Sequence, residues 1–156
     1  MAHITSSIIV AASPCIVFDL FTDLERVAEA NEDIVSLEKL TDGPMAEGSR
    51  FRETRFMFKR ETTEEFEVTA FEPGKSYSVE CESCGCVYST VYRFSPEKSG
   101  TRVDFEMRTR AVSFFAKLLS PIGIFFTGSL KKCLEHDIAQ LKATAETMNT
   151  QVESSA

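Results

Sequence analysis

Basic charge is what this chain lacks most. Its 17 Lys and Arg stand against 24 Asp and Glu, a formal net charge of -7 at neutral pH. A phosphate backbone is held by a basic footprint, so nucleic acid is not an expected partner. Tryptophan is absent, whereas Phe occurs 13 times; the aromatic bulk is therefore wide and chemically inert, as suits an apolar interior. A long uninterrupted apolar run is missing too. The most apolar stretch, residues 111–130, carries Ser113, Lys117, Ser120, Pro121, Gly123 and Gly128. It fails as a membrane span of about 20 residues, so no integral membrane association is expected. Surface association through Phe114, Phe115, Phe125 and Phe126 competes there with core or cavity packing. The opening Met1-Ala2-His3-Ile4-Thr5 has no basic region leading into an apolar run. No export signal is expected, and the cytoplasm is the expected compartment.

Histidine is scarce: His3 lies near the chain start and His136 lies off the nearby apolar stripe, so neither reads as a buried base. No Ser-His-Asp set and no Gly-rich phosphate loop is present. Cysteine occurs five times, an odd number that favours reduced thiols over a disulfide framework. Cys15 and Cys133 read as small buried hydrophobes. Cys81-x-x-Cys84-x-Cys86 has no second ligand pair elsewhere, and structural zinc needs four ligands, so a hairpin turn at Gly85 is expected. No metal site and no cofactor is expected.

What is present is a change of period along one chain of 156 residues, a length suited to one domain. Residues 3–11 alternate as a strand. Ser13 then supplies an N-cap and Pro14 a first helical position, with Val17, Phe18, Leu20, Phe21 and Leu24 as the apolar stripe. Asp23 caps a second short helix through Val27 and Ala30. Turn chemistry at Asp42-Gly43-Pro44, Glu72-Pro73-Gly74, Cys84-Gly85-Cys86 and Ser95–Gly100 divides the middle of the chain. The strands are predicted near residues 34–41, 49–58, 62–71, 76–83, 87–94 and 101–109, the turn at Lys59-Arg60 carrying no Gly or Pro. Leu130, Leu134, Ile138, Leu141, Ala145 and Met148 then line one face of a long helix. Phe115, Leu118, Leu119 and Ile122 form a similar stripe before it, with a break or kink predicted at Pro121. The predicted domain covers residues 1–149, with 150–156 as a frayed tail.

The order strand, two short helices, six strands, long helix resembles the polyketide cyclase/dehydrase family of the START-like (SRPBCC, Bet v 1-like) superfamily. The likeness rests on Ala12-Ser13-Pro14, residues 17–26, Gly48-Ser49-Arg50-Phe51-Arg52-Glu53, Val68–Gly74, Tyr92-Arg93-Phe94-Ser95-Pro96, Gly100-Thr101-Arg102-Val103 and the closing helix. It implies an α+β helix-grip fold, with a curved antiparallel seven-stranded sheet wrapped round the C-terminal helix and a cavity between them for an apolar small molecule. Many relatives carry a Pro and a Trp in the second short helix, where this chain has Ala28 and Ala30, which implies a looser wall on that side.

Strand alternation predicts the inward faces. Phe66, Val68 and Ala70 share one, as do Tyr77, Val79 and Cys81; Tyr88, Thr90, Tyr92 and Phe94; and Val103, Phe105 and Met107. The candidate ligand-binding residues are Phe66, Val68, Tyr77, Val79, Tyr88, Tyr92, Phe105, Met107, Phe115, Leu118, Leu119, Ile122 and Phe126, an apolar wall with a few hydroxyls. A filled core would have the same periodicity. Glu53, Arg55 and Glu64 are the candidates for chemistry, as a buried carboxylate and guanidinium that position a ligand or move a proton; a solvated cross-strand ion pair is the competing reading. The expected function is binding, with or without transport, of a hydrophobic or aromatic molecule by a non-catalytic monomer or homodimer. The alternatives are a cyclase- or dehydratase-like enzyme and a protein-interaction module with a vestigial cavity.

Overall fold

The computed structural model describes residues 2–156, with the backbone alone over residues 119–126. Ser13 and Asp23 begin the two short helices as their chemistry requires. The Ser13 hydroxyl accepts the Ile16 N–H (3.4 Å), and the Asp23 carboxylate accepts those of Glu25 and Arg26 (3.1 and 3.3 Å). Each such cap contributes about 1 kcal/mol. After β1 (Ala2–Val10) come α1 (Pro14–Thr22) and α2 (Leu24–Ala30), then β2 (Ile34–Lys39), β3 (Arg50–Met57), β4 (Arg60–Glu72), β5 (Ser76–Ser83), β6 (Cys86–Glu97), β7 (Gly100–Ala111) and α3 (Phe114–Ser154). The seven strands form one antiparallel sheet in the order β1-β7-β6-β5-β4-β3-β2. Its first two strands in sequence, β1 and β2, are thus its two edges. The sheet and α3 grip the core in the arrangement the sequence implied.

Two features of the sheet depart from simple alternation. A register shift between Val68 and Ala70 inserts an extra residue into β4. Val68 is fully buried, but beyond the bulge it is Phe71, not the predicted Ala70, that turns inward, its ring 5.6 Å from that of Phe18. The turn between β3 and β4 lies at Phe58-Lys59, both with positive φ (52° and 65°). Two-residue hairpins favour this mirror-image geometry, which Asn-Gly adopts at little cost and Phe-Lys does not.

One end of the interior is filled with aromatic rings. Phe18 and Phe21 of α1 meet Phe94 edge-on at 5.3 Å each, while Tyr77 stacks on Tyr92 at 4.9 Å. At the other end the sheet divides. The β4–β5 ladder stops at Glu67 and Glu80, beyond which the β3–β4 and β5–β6 hairpins continue as separate pairs. There the Gly85 carbonyl accepts the N–H groups of Val112 and Ser113 (2.8 and 3.1 Å), tying the start of α3 to the β5–β6 turn.

Several sequence expectations need correction. The helix is one element from Phe114 to Ser154, so Pro121 does not end it; a proline inside a long helix removes one hydrogen bond without stopping the ladder on either side. Residues 150–154 are helical. Cys15 is exposed rather than buried, because it sits on the outer side of α1 against Asp19 (3.6 Å). Cys133 is only partly buried.

Candidate functional site

Alternation along β3 turns Phe51, Glu53 and Arg55 toward α3, while Arg50 and Arg52 pair outward with Glu65. Arg55 is the centre of a triad. Its Nε–H donates to Glu53 Oε1 at 2.6 Å, and its Nη1–H donates to Asp137 Oδ2 at 2.8 Å. The three side chains are 13%, 16% and 15% exposed in the order Arg55, Glu53, Asp137, so this is an interior network and not a solvated pair. Glu64, the Cα partner of Glu53 across the β3–β4 ladder, accepts the Ser83 hydroxyl at 2.6 Å and so bridges the divided hairpins.

Electrostatics follows from this enclosure. Burial pushes the Arg55 guanidinium down, but Glu53 and Asp137 more than offset it and hold it charged. Burial lifts the Glu53 carboxyl above the ordinary range against the pull of Arg55, with Asp137 and Glu64 adding to the rise; Asp137 is lifted by burial in the same way. The Cys81 thiol is pushed up to about 12, by burial first and then by Glu64 and Glu53. It is a neutral thiol at physiological pH rather than a nucleophile. Burial also raises Tyr88 and Tyr92, leaving neutral phenols on the neighbouring β6 wall. Two buried oxygens beside the triad lack hydrogen-bond partners among the described residues: Thr62 Oγ1, on the Cα partner of Arg55, and Gln140 Oε1, one helical turn beyond Asp137.

The predicted residues fall into distinct places. Glu53, Arg55 and Glu64 come together with Cys81, and Tyr92 feels the charge of Asp137 and Glu53. Phe66 stacks on Phe51 at 5.2 Å; Phe105 and Met107 are buried in the core, and Val79 packs partly against it. Tyr77 belongs to the filled end, where its hydroxyl donates to the Phe21 carbonyl at 3.3 Å. Phe115 and Leu118 do not line the interior: they are 74% and 66% exposed. The helix starts after Val112 and Ser113, whose N–H groups bond to Gly85 of the β5–β6 turn, and Phe115 and Leu118 lie on its solvent side. Leu119, Ile122 and Phe126 have side chains outside the described residues. Asp137 is not among the residues that the sequence singles out, although its spacing carries a signal: it lies three residues after Leu134 and four before Leu141, on the buried stripe.

No group of three or more potential metal-binding side chains stands together among the described residues. Cys84 and Gly85, both at positive φ, form the tight turn expected there. His3 and His136 are exposed and pair with Glu106 and Glu32 at 3.0 and 3.2 Å. Two open hollows on the described surface lie away from the triad, one at the end of α3 around Met148 and Val152, the other between β1 and β7 around Ser6 and Arg102. The arrangement can anchor a polar group that donates hydrogen bonds to carboxylates, or hold and release a proton at Glu53.

The sequence model for polyketide cyclase / dehydrase and lipid transport proteins matches residues 1–146. The chain belongs to this family. Solved structures extend the likeness to three dimensions. TTHA0849 from Thermus thermophilus superposes with a TM-score of 0.74 at 17% identity, over 94% of this chain and 99% of that one. The di-domain ARO/CYC StfQ from the steffimycin biosynthetic pathway gives 0.76 at 12%, over 94% of this chain and 51% of its own length. Ara h 8.0201 gives 0.72 at 11%, over 94% and 98%. At these identities the shared property is the helix-grip fold. A search of curated proteins finds no match.

Proposed function

We propose that this family member binds a small, largely apolar molecule between the sheet and α3, with its polar end on the Glu53–Arg55–Asp137 triad. The observation that supports this reading is the triad's position. Ion pairs this deep are poor devices for stability, since apolar residues of similar volume often serve as well or better. A binding role gives them a purpose. The partly buried walls Tyr88, Tyr92 and Val79 would cover the ligand body, and the gap between the divided hairpins would admit it.

The charge balance narrows the head group. Arg55 already donates from Nε and Nη1 to two carboxylates, and Glu64 adds a third acid nearby. A ligand carboxylate would meet like charge, whereas a hydroxyl or ammonium would find acceptors, including the Thr62 and Gln140 oxygens that lack partners among the described residues. Native mass spectrometry of the purified protein and titration with the neutral fluorophore N-phenyl-1-naphthylamine test the reading. Saturable uptake, weakened about tenfold or more in Arg55→Met, is expected. A protein that neither retains a small molecule nor takes up the fluorophore contradicts it.

One observation favours a second reading, a cyclase- or dehydratase-like enzyme. The Glu53 carboxyl is raised by burial, which suits a general acid. Under this reading Glu53→Gln keeps fluorophore binding but loses turnover of a polyketide surrogate by orders of magnitude. Unchanged turnover in that variant removes Glu53 from the reaction.

A further inference from the structure

The end of the molecule where the sheet divides carries a surface the interior does not need. Antiparallel order places the β3–β4 turn, the β5–β6 turn, the end of β7 and the start of α3 at this one end. Six large apolar side chains are exposed on these elements: Phe56 (53%), Phe58 (51%), Val112 (37%), Phe114 (76%), Phe115 (74%) and Leu118 (66%). Among the described residues, every Phe in the set of exposed large hydrophobic side chains lies here. The same elements carry Lys59, Arg60, Arg110 and Lys117 against Glu61 and Glu82, a local excess of cations in a chain of net charge -7. The turn holds Phe58 and Lys59 at its tip in a left-handed backbone that neither residue favours, although Asn-Gly would form it readily. Local stability does not account for that choice.

We infer that this end is a peripheral docking surface for an anionic lipid bilayer, Phe56, Phe58, Phe114, Phe115 and Leu118 entering the headgroup region while the four cations meet its charge. Apolar insertion combined with electrostatic attraction is the general physics of such contacts. No described helix is long and apolar enough to cross a membrane, which fits adsorption rather than spanning. A second copy of the chain fits less well, because a two-fold contact through this patch would bring Lys59, Arg60 and Lys117 against their own counterparts.

The inference goes beyond the interior site and does not depend on it. The full chain is sedimented with vesicles of phosphatidylcholine alone and with vesicles containing about 30% phosphatidylserine. Binding to the anionic vesicles is expected, about tenfold tighter than to the neutral ones and weakened by salt. Lys59→Glu/Arg60→Glu and, separately, Phe58→Ser/Phe114→Ser are each expected to lower it about tenfold, with unchanged circular dichroism and unchanged N-phenyl-1-naphthylamine uptake. No binding to anionic vesicles, equal binding to both vesicle types, or binding that both variants leave intact overturns the inference. So does a stable dimer in solution that Phe58→Ser/Phe114→Ser dissociates, since that would assign the patch to a second copy. Loss of fluorophore uptake with vesicle binding intact would count against the interior reading alone.

Discussion

The two ends of this molecule solve opposite problems with the same sheet. Near α1 the interior is closed by rings: Phe18, Phe21, Tyr77, Tyr92 and Phe94 meet at centroid distances of 4.9–6.3 Å, and the Tyr77 hydroxyl satisfies a backbone carbonyl. Toward the divided hairpins the interior holds three carboxylates, one guanidinium and two oxygens without partners among the described residues. The first arrangement stabilises by burying area; the second costs desolvation for each charge it encloses. The comparison teaches that packed rings and enclosed charges are concentrated in different parts of one interior and meet at Tyr92, so changes remote from Tyr92 at one end are expected to leave the other largely intact.

The largest expected effect falls on the closed end. Phe18 touches three other rings, and Phe18→Ala is predicted to destabilise the protein by about 3–5 kcal/mol in chemical denaturation. A loss below about 1 kcal/mol would mean that this end is loosely packed. Arg55→Met comes next. It strands two enclosed carboxylates and is predicted to cost about 2–3 kcal/mol, below the value for full burial because the groups keep some solvent contact. Neutralising Glu53 and Asp137 in the same chain is expected to restore most of that loss.

A smaller effect separates the ends by pH. The Glu53 carboxyl is raised in the folded state, so the folded form binds its proton more tightly than the unfolded chain does. Its favourable contribution is present below the ordinary carboxylate range and is lost as pH rises through the raised value. The stability of the wild type relative to Glu53→Gln should therefore fall across that interval, whereas that relative to Phe18→Ala should stay flat. The smallest change is expected at the β3–β4 turn, where Phe58→Asn/Lys59→Gly relieves the positive-φ conformation and should add about 1 kcal/mol by thermal unfolding.

Most of the architecture was legible because local chemistry announces it. Ser13 and Asp23 cap helices, Gly74 and Gly85 mark turns, and period-2 runs set the strand faces. What was hidden depends on contacts distant in sequence or on irregularity. The bulge after Val68 swaps Ala70 for Phe71 on the inner face, and nothing in alternation signals an inserted residue. The triad joins Arg55 to Asp137, 82 positions away, and an acid lying on an otherwise apolar helical stripe has no local signal that names its partner. Phe115 and Leu118 share a helical stripe, but helical period alone does not say whether that stripe has a partner, and both side chains are exposed.

In the proposed binding mode the triad receives the polar end of an apolar ligand and favours a hydrogen-bond donor there. Displacement of bound N-phenyl-1-naphthylamine by dodecylamine, dodecanol and dodecanoate tests this with one chain length and three head groups. The amine and the alcohol are predicted to compete about tenfold more strongly than the acid, a preference lost when Glu53, Arg55 and Asp137 are neutralised together. Tightest competition by the acid, or an order of affinity that the neutralised triad leaves unchanged, would contradict it.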